Sequence, residues 1–187
     1  MILNDRHKYL IALLQAVQRG YTPPGQVSPE LYAYLRDHKD EAPALTGFVG
    51  FGCSFGGKWF GGYARNATGT NYAEQSRRSL LKDMATLQNA EFLCRDYRSV
   101  PIPPGAVIYA DPPYNGTTGY GGTFDTPAFW GCMRFLADLG HPVFVSEETG
   151  PEDVTVVWEK PFTRTLDRNK QNQFIATERL YYLPPRQ

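Results

Sequence analysis

The sequence lacks the features that mark secreted, membrane-spanning or strongly charged proteins. Its 19 basic and 19 acidic residues cancel, so bulk charge does not indicate a nucleic-acid partner and any basic surface must be local. The three cysteines are far apart and lack metal-ligand spacing, which favours reduced thiols in a cytoplasm. Signal peptide, membrane-length apolar run and internal repeat are all missing from the 187 residues. We expect a cytoplasmic chain, long enough for one domain with a sizeable core.

Helix and strand patterns alternate along the chain. Apolar periodicity and capping residues predict helices over residues 6–18 (opened by Asn4 and Asp5), 28–38, 74–87 and 126–139. Apolar runs predict strands at residues 2–3, 91–94, 106–110 and 142–146, and a closing antiparallel pair at 154–158 and 174–183. This order is typical of an α/β domain with a mainly parallel sheet and a C-terminal antiparallel pair.

The most informative motif is Asp-Pro-Pro-Tyr at residues 111–114, which follows the predicted buried parallel strand 106–110. Open α/β sheets bind their ligands at the carboxyl ends of such strands. There Asp111 would offer a carboxylate acceptor, the two prolines would hold their carbonyls stiffly, and Tyr114 would offer a ring for stacking. Together these groups suit a planar base that carries an amino group.

The same tetrapeptide is also compatible with a plain turn at the end of a strand, and four residues alone do not decide between the two interpretations. The glycine-rich residues 115–122 and the helix predicted at 126–139 favour a binding site, because a simple turn needs neither of them.

Residues 44–71 form a second unusual segment, with eight glycines, six aromatic rings and two basic residues, Lys58 and Arg65. Glycine lets a backbone approach a ligand closely, and aromatic and basic side chains suit a nucleic-acid surface. The alternative is a glycine-rich loop whose rings pack on the domain, and the composition leaves both open. Within the segment, Phe-Val-Gly-Phe-Gly at residues 48–52 is interpreted as a loop. We expect the basic face of helix 74–87 to be solvated.

Taken in order, the motifs resemble those of Dam-type DNA adenine methyltransferases, in the form often found in bacteriophage genomes. The residues that carry the resemblance are Asn4-Asp5, Arg65-Asn66 with Gly69 and Asn71, Asp96 at the end of a strand, residues 111–114, a strand ending at Ser146, and Thr-Glu-Arg-Leu-Tyr at residues 177–181. The resemblance implies one domain over residues 1–187, with a Rossmann-like S-adenosylmethionine-dependent methyltransferase fold. It also implies that residues 44–71 are a DNA-recognition insertion.

The activity implied by this resemblance is transfer of a methyl group from S-adenosylmethionine to the exocyclic amine of adenine in double-stranded DNA, without a metal. At the catalytic site, Asp111 and the Pro112 carbonyl would accept the amine hydrogens, and Tyr114, after Pro113, would stack on a flipped-out base. The implied cofactor-binding residues are Asp5 at the ribose, Asp96 with Tyr97 at the adenine, and Asp111. The implied DNA-binding residues are Lys58, Arg65, Asn66, Asn71 and Lys170.

In that family a first strand and a glycine-rich cofactor loop precede the Asn-Asp helix, and this chain starts too late for either. We therefore expect the first strand to be missing between strands 2–3 and 106–110, which leaves both without a neighbour. Three hypotheses stay open: an active adenine methyltransferase, a catalytically silent remnant that binds DNA through residues 44–71, and a split enzyme whose second chain supplies the cofactor loop. A fourth hypothesis, an RNA or protein methyltransferase with a similar tetrapeptide, is less favoured, because residues 65–66 and the C-terminal pattern at 177–181 resemble the DNA enzymes.

Overall fold

A computed structural model describes residues 1–113, 124–165 and 173–185. Over these residues the chain is an α/β protein that divides into two compact units, Met1–Val100 and Pro101–Gln187, and each is described by itself. In chain order the elements are β1 (Ile2–Asn4), α1 (Lys8–Gln18), α2 (Pro29–Asp37), α3 (Pro43–Gly52), α4 (Tyr72–Met84), β2 (Glu91–Leu93), β3 (Ile108–Ala110), α5 (Thr126–Asp138), β4 (Val143–Glu147), β5 (Thr155–Thr165) and β6 (Gln173–Leu183). One domain over residues 1–187, with an insertion at 44–71, stays a prediction.

Capping side chains begin four of the five helices. Ser28, Asn71 and Asp125 accept a hydrogen bond from the backbone nitrogen three residues ahead in α2, α4 and α5. The start predicted for α1 is wrong: the cap is His7, whose Nδ1 accepts from the Leu10 nitrogen at 3.3 Å. Asp5 instead accepts the His7 backbone N–H on Oδ1 at 2.6 Å, one turn before the helix.

The interpretation of residues 48–52 as a loop is wrong, because they form the buried second half of α3. Its glycines lie where neighbouring elements come very close. A Cβ on Gly47 would overlap the carbonyl oxygen of Tyr9 in α1, and one on Gly50 would overlap the Trp59 ring. Tertiary packing therefore overrides the low helix propensity of glycine. The first unit's core forms around this contact, with buried side chains such as Leu13, Phe48 and Val49.

The second unit contains a four-stranded mixed sheet of order β3-β4-β6-β5. β3 and β4 are parallel, with Ala110 opposite Val145, and β6 runs antiparallel to both β4 and β5. Val143 and Val145 are fully buried on the face that α5 covers, where Trp130 of α5 makes an edge contact with Tyr181 of β6. Residues 155–165 and 173–183 thus confirm the predicted C-terminal antiparallel pair.

Two predictions about the sheet need correction. The prediction of a single, mainly parallel sheet is correct only in part. The first unit contains a separate parallel pair, β1-β2, and the four-stranded sheet has two antiparallel pairings and one parallel pairing. The strand predicted at 106–110 is not buried, since Val107 is 66% and Tyr109 64% exposed. The reason is that β3 is an edge strand and that these side chains point away from the face covered by α5.

In the described ranges, each helix is too short or too polar to cross a lipid bilayer. All three cysteines lie in the described part of the chain, and none forms a disulfide.

Candidate functional site

Asp111 and Pro112 directly follow β3, at the carboxyl edge that β3 shares with its parallel neighbour β4. Pro112 is buried, whereas Asp111 as a whole residue is exposed. A proline buried immediately after a strand fixes the backbone torsion there and adds no N–H donor, so the carbonyl of Pro112 and the carboxylate of Asp111 are held as acceptors. β3 confirms a strand directly before residue 111, and the role of Asp111 and Pro112 as acceptors stays a prediction. Tyr114 lies outside the described residues.

Ser146 and Glu178 lie beside Asp111 on one face of the second unit's sheet. Ala110 is opposite Val145, and Ser146 is opposite Leu180. Since side chains alternate along a strand, Asp111, Ser146 and Glu178 share the face opposite to α5. Ser146, which is 6% exposed, donates a long hydrogen bond of 3.5 Å from Oγ to Glu178 Oε1.

The environment of Asp111 raises the pKa of its carboxyl above the usual range. Desolvation of the carboxyl is the larger cause, and the negative charge of Glu178 is the second. Two carboxylates at one sheet edge favour binding of a group that carries or develops positive charge. Perturbed carboxyls of this kind are typical of functional sites, although structural networks also produce them.

No role was predicted for Glu178, although the residue belongs to the Thr-Glu-Arg-Leu-Tyr pattern at residues 177–181. Nothing local in the sequence places that pattern next to Asp111, because the two meet only through the β3-β4-β6 strand order. The sequence predicts Glu147 and Glu148 near this edge in a solvated loop, which is wrong for Glu147: it ends β4, is 2% exposed and lies on the face that α5 covers. Its Oε2 accepts the Glu148 N–H at 2.6 Å. Arg179 donates to the Glu148 carbonyl and pairs with Glu159 at 3.2 Å.

In the first unit, Asp5 and Asp96 lie at the carboxyl edge of the parallel pair β1-β2. The Asn4 side chain joins the two strand ends, because its amide exchanges two 3.0 Å hydrogen bonds with the backbone of Arg95. Asp5 adds a backbone hydrogen bond of 3.2 Å to Leu93. The structure therefore brings the two predicted cofactor-binding aspartates to one edge of a sheet.

The carboxylate of Asp96 is engaged by Arg98. Arg98 Nε donates to Oδ1 at 2.7 Å and its NH2 group donates to Oδ2 at 2.9 Å, while the Arg98 backbone N–H also reaches Oδ1. These bonds lower the pKa of Asp96 to about 2. The guanidinium of Arg98 lies 5.5 Å from the centre of the Tyr97 ring. An adenine at this edge would have to replace Arg98 or use the backbone of Asp96 and Tyr97.

Residues 54–63 form a closed loop, which we call the glycine loop. An antiparallel bridge between Ser54 and Tyr63 closes it, with a 2.8 Å bond from the Phe55 nitrogen to the Gly62 carbonyl. Gly56 and Gly57 have φ of 62° and 68°, which other residues adopt at a cost, and they turn the chain at the tip. The exposed side chains of Phe55 and Lys58 follow from this turn. An aromatic ring beside a cation suits a nucleic-acid surface.

The remaining predicted DNA-binding residues have different surroundings. Arg65 and Asn66 are exposed, and Asn66 closes a small turn through two bonds to Thr70 of 2.7 and 3.0 Å. Asn71 uses its amide within the fold, because Oδ1 caps α4 and Nδ2 donates to the Gly25 carbonyl at 2.9 Å. Lys170 lies outside the described residues.

Comparison with known proteins does not add a family to this geometry. Neither the scan against models of protein families nor the search of curated proteins finds a match. Among the described residues, no three of His, Cys, Asp or Glu converge in the way that a metal ion would need.

Proposed function

We propose that this chain transfers a methyl group from S-adenosylmethionine to the exocyclic amine of adenine in DNA, with a Rossmann-like methyltransferase fold. The observation that carries the proposal is the position of Asp111 and Pro112 at the carboxyl edge of β3 and β4, with a second carboxylate, Glu178, on the same face. Parallel strands joined through a helix, with acceptors at their carboxyl ends, are the arrangement in which α/β enzymes bind nucleotides and bases.

The acceptors at this edge match the needs of the amine. The Asp111 carboxylate and the Pro112 carbonyl can each accept one amine hydrogen, which draws the nitrogen toward tetrahedral geometry and frees its lone pair. A base must leave the duplex to reach them, because pairing otherwise occupies the amine. In the balanced reaction a C–N bond forms, the C–S bond breaks with its electron pair on sulfur, and the amine loses one proton. Asp111 is the nearest acceptor for that proton.

Some residues of the first unit fit the nucleoside part of the cofactor, which supplies an electrophilic methyl group when bound. Asp5 uses Oδ1 for the His7 N–H, and its Oδ2 accepts no hydrogen bond from the described residues, so it suits a ribose hydroxyl. Asp96 suits the adenine amine only after Arg98 is displaced. These residues are the ones that would hold the nucleoside part.

The direct test measures N6-methyladenine by mass spectrometry after incubating the purified chain with S-adenosylmethionine and unmethylated duplex DNA. Asp111→Ala should lower kcat about 10²–10³-fold, which is the usual effect of removing one preorganised group that stabilises the transition state. Glu152→Ala, at an exposed turn of the same unit, is the control and should leave kcat unchanged. A chain that binds both substrates but yields no methyladenine would refute the proposal.

A second candidate is a split or silent form that binds DNA but takes its cofactor segment from another chain. One observation favours it: among the described residues, β1 pairs with β2 alone and β3 with β4 alone, so each has an edge that a further strand could join. Calorimetry with S-adenosylmethionine separates the two candidates. Binding by the chain alone favours the active enzyme, whereas a folded chain that binds duplex DNA without binding the cofactor favours the split or silent form.

A further inference from the structure

We propose that Glu178 is a positioning residue for the methyl transfer, held by Ser146 and acting through Asp111 to keep that carboxylate a strong acceptor for the amine. This inference rests on the proposed function, and it adds a third strand, β6, to the site. Its basis is the geometry of the second unit. Asp111 directly after β3, Ser146 of β4 and Glu178 of β6 lie on one sheet face, and Ser146 contacts Glu178.

Ser146 is the hydroxyl donor beside the carboxylate of Glu178. The serine is 6% exposed, so its hydroxyl has little access to water, and it donates a long hydrogen bond of 3.5 Å to Oε1. Glu178 is itself half-buried. A charge held in a partly desolvated place acts more strongly on its neighbours than a mobile surface charge, since water screens it less.

The negative charge of Glu178 disfavours the ionised form of Asp111. The carboxylate of Asp111 is therefore a stronger base. A more basic carboxylate forms stronger hydrogen bonds with the amine and takes up its proton more readily. Both negative charges also favour the amine nitrogen as it becomes positive, which is the change in charge that methyl transfer brings. The two carboxylates therefore act in the same direction on the transition state.

Other charged groups of the unit are placed differently. Lys160 of β5 is the strand partner of Glu178, so a cation lies beside Glu178 on this face. Glu147, Glu159 and Arg179 lie on the opposite face by the same alternation. On that face α5 carries Arg134, which pairs with Asp153 at 2.5 Å, and ends at Asp138. Among the described residues, Glu178 is the carboxylate whose charge acts on Asp111.

The test compares Glu178→Gln with wild type in two measurements. Carbon-13 NMR of the side-chain carboxyls follows the titration of Asp111, and the pH profile of kcat follows turnover. In the variant, Asp111 should titrate at lower pH, and the acid limb of the profile should move the same way. The value of kcat should fall roughly tenfold, which is a loss of about 1.4 kcal/mol in transition-state stabilisation. Glutamine keeps an acceptor for Ser146, so a purely structural role predicts neither shift.

Two further variants make the result decisive. Glu159→Gln removes the carboxylate that pairs with Arg179 on the other face of the sheet. Its Asp111 titration and its kcat should equal those of wild type. Ser146→Ala keeps the charge of Glu178 but removes the hydrogen bond to its carboxylate. This variant should therefore lower kcat less than Glu178→Gln does. If Glu178→Gln does not fold, Ser146→Ala takes its place in the test. An Asp111 titration that is unchanged in Glu178→Gln would overturn the inference. A wild-type chain that makes no methyladenine would overturn the proposed function instead, while the titration, which needs no turnover, still reports the coupling.

Discussion

His7 places a titratable ring at the start of helix α1. Its Nδ1 accepts the Leu10 N–H, so the cap needs this nitrogen unprotonated. The ring packs edge-on against Trp59 with centroids 4.2 Å apart, and against Phe51 at 4.8 Å. Desolvation in this aromatic surrounding lowers the pKa of His7, although the nearby Asp5 charge opposes the shift. Both effects of the fold, the cap and the desolvation, favour the neutral ring.

Stability should therefore fall in acid because of His7. A histidine whose pKa is lower in the fold contributes stability that is complete above the unfolded pKa, near 6.5, and is lost as the pH falls below it. We expect the free energy of unfolding, from urea titrations between pH 8 and 5, to drop below pH 6.5 by up to about 1 kcal/mol, the usual value of a side-chain cap. His7→Asn, which caps without titrating, should show a smaller drop over the same range, and equal slopes for both proteins would contradict this role.

At the scale of elements, α3 is a helix that the local sequence pattern does not predict. Three glycines within residues 47–52 argue for a loop by propensity, yet the segment is helical because α1 and Trp59 occupy the space that side chains would need. Ser28 was a local signal for the start of α2, and the helices predicted from residues 74 and 126 begin at Tyr72 and Thr126. The identity of the α1 cap was missed, because histidine is an uncommon cap and its role depends on the ring's orientation.

Substitution of two helical glycines should have opposite effects. Gly47→Ala places a Cβ against the Tyr9 carbonyl, 2.8 Å from its carbon, so α1 and α3 must separate. We expect a loss of about 1–3 kcal/mol in the free energy of unfolding, as for other overpacked cores. Gly131→Ala in α5 meets no atom within 4 Å and should instead stabilise by about 0.5–1 kcal/mol, because alanine favours the helix. Urea denaturation of both variants checks this, and a stable Gly47→Ala protein would show that the helices adapt easily.

At the scale of the whole molecule, the order of helices and strands followed from the sequence except for α3, while the approach of distant residues to one another did not. Alternating apolar runs predicted an α/β chain and placed Asp111 at a strand end, since both depend on local pattern. The division into two sheets, the exposure of Tyr109 and the approach of Glu178 to Asp111 depend on strand order and on which faces helices cover. Strand order is a property of long-range pairing, which no stretch of this sequence encodes by itself.

Zero net charge makes a further prediction about DNA binding by the whole chain. Without a bulk positive field, attraction to phosphates must come from a few local cations, of which the exposed Lys58 in the glycine loop and Arg65 just after it are the best placed. Each phosphate contact adds about 0.9 to the slope of log affinity against log salt. We expect a shallow slope for wild type, and a slope reduced by about one for Lys58→Ala or Arg65→Ala, measured by fluorescence anisotropy with a labelled duplex.

The matched control for this prediction is Lys82→Ala. Lys82 is also exposed and carries the same charge, but it lies in the last turn of α4, on a face expected to be solvated. If net charge alone determined affinity, all three variants would weaken binding equally, because each removes one positive charge. A local contact surface instead predicts that Lys82→Ala keeps both the affinity and the salt slope of wild type. Equal losses in the three variants would therefore remove the glycine loop from the DNA-binding surface and leave the methyl-transfer proposal to depend on Asp111 alone.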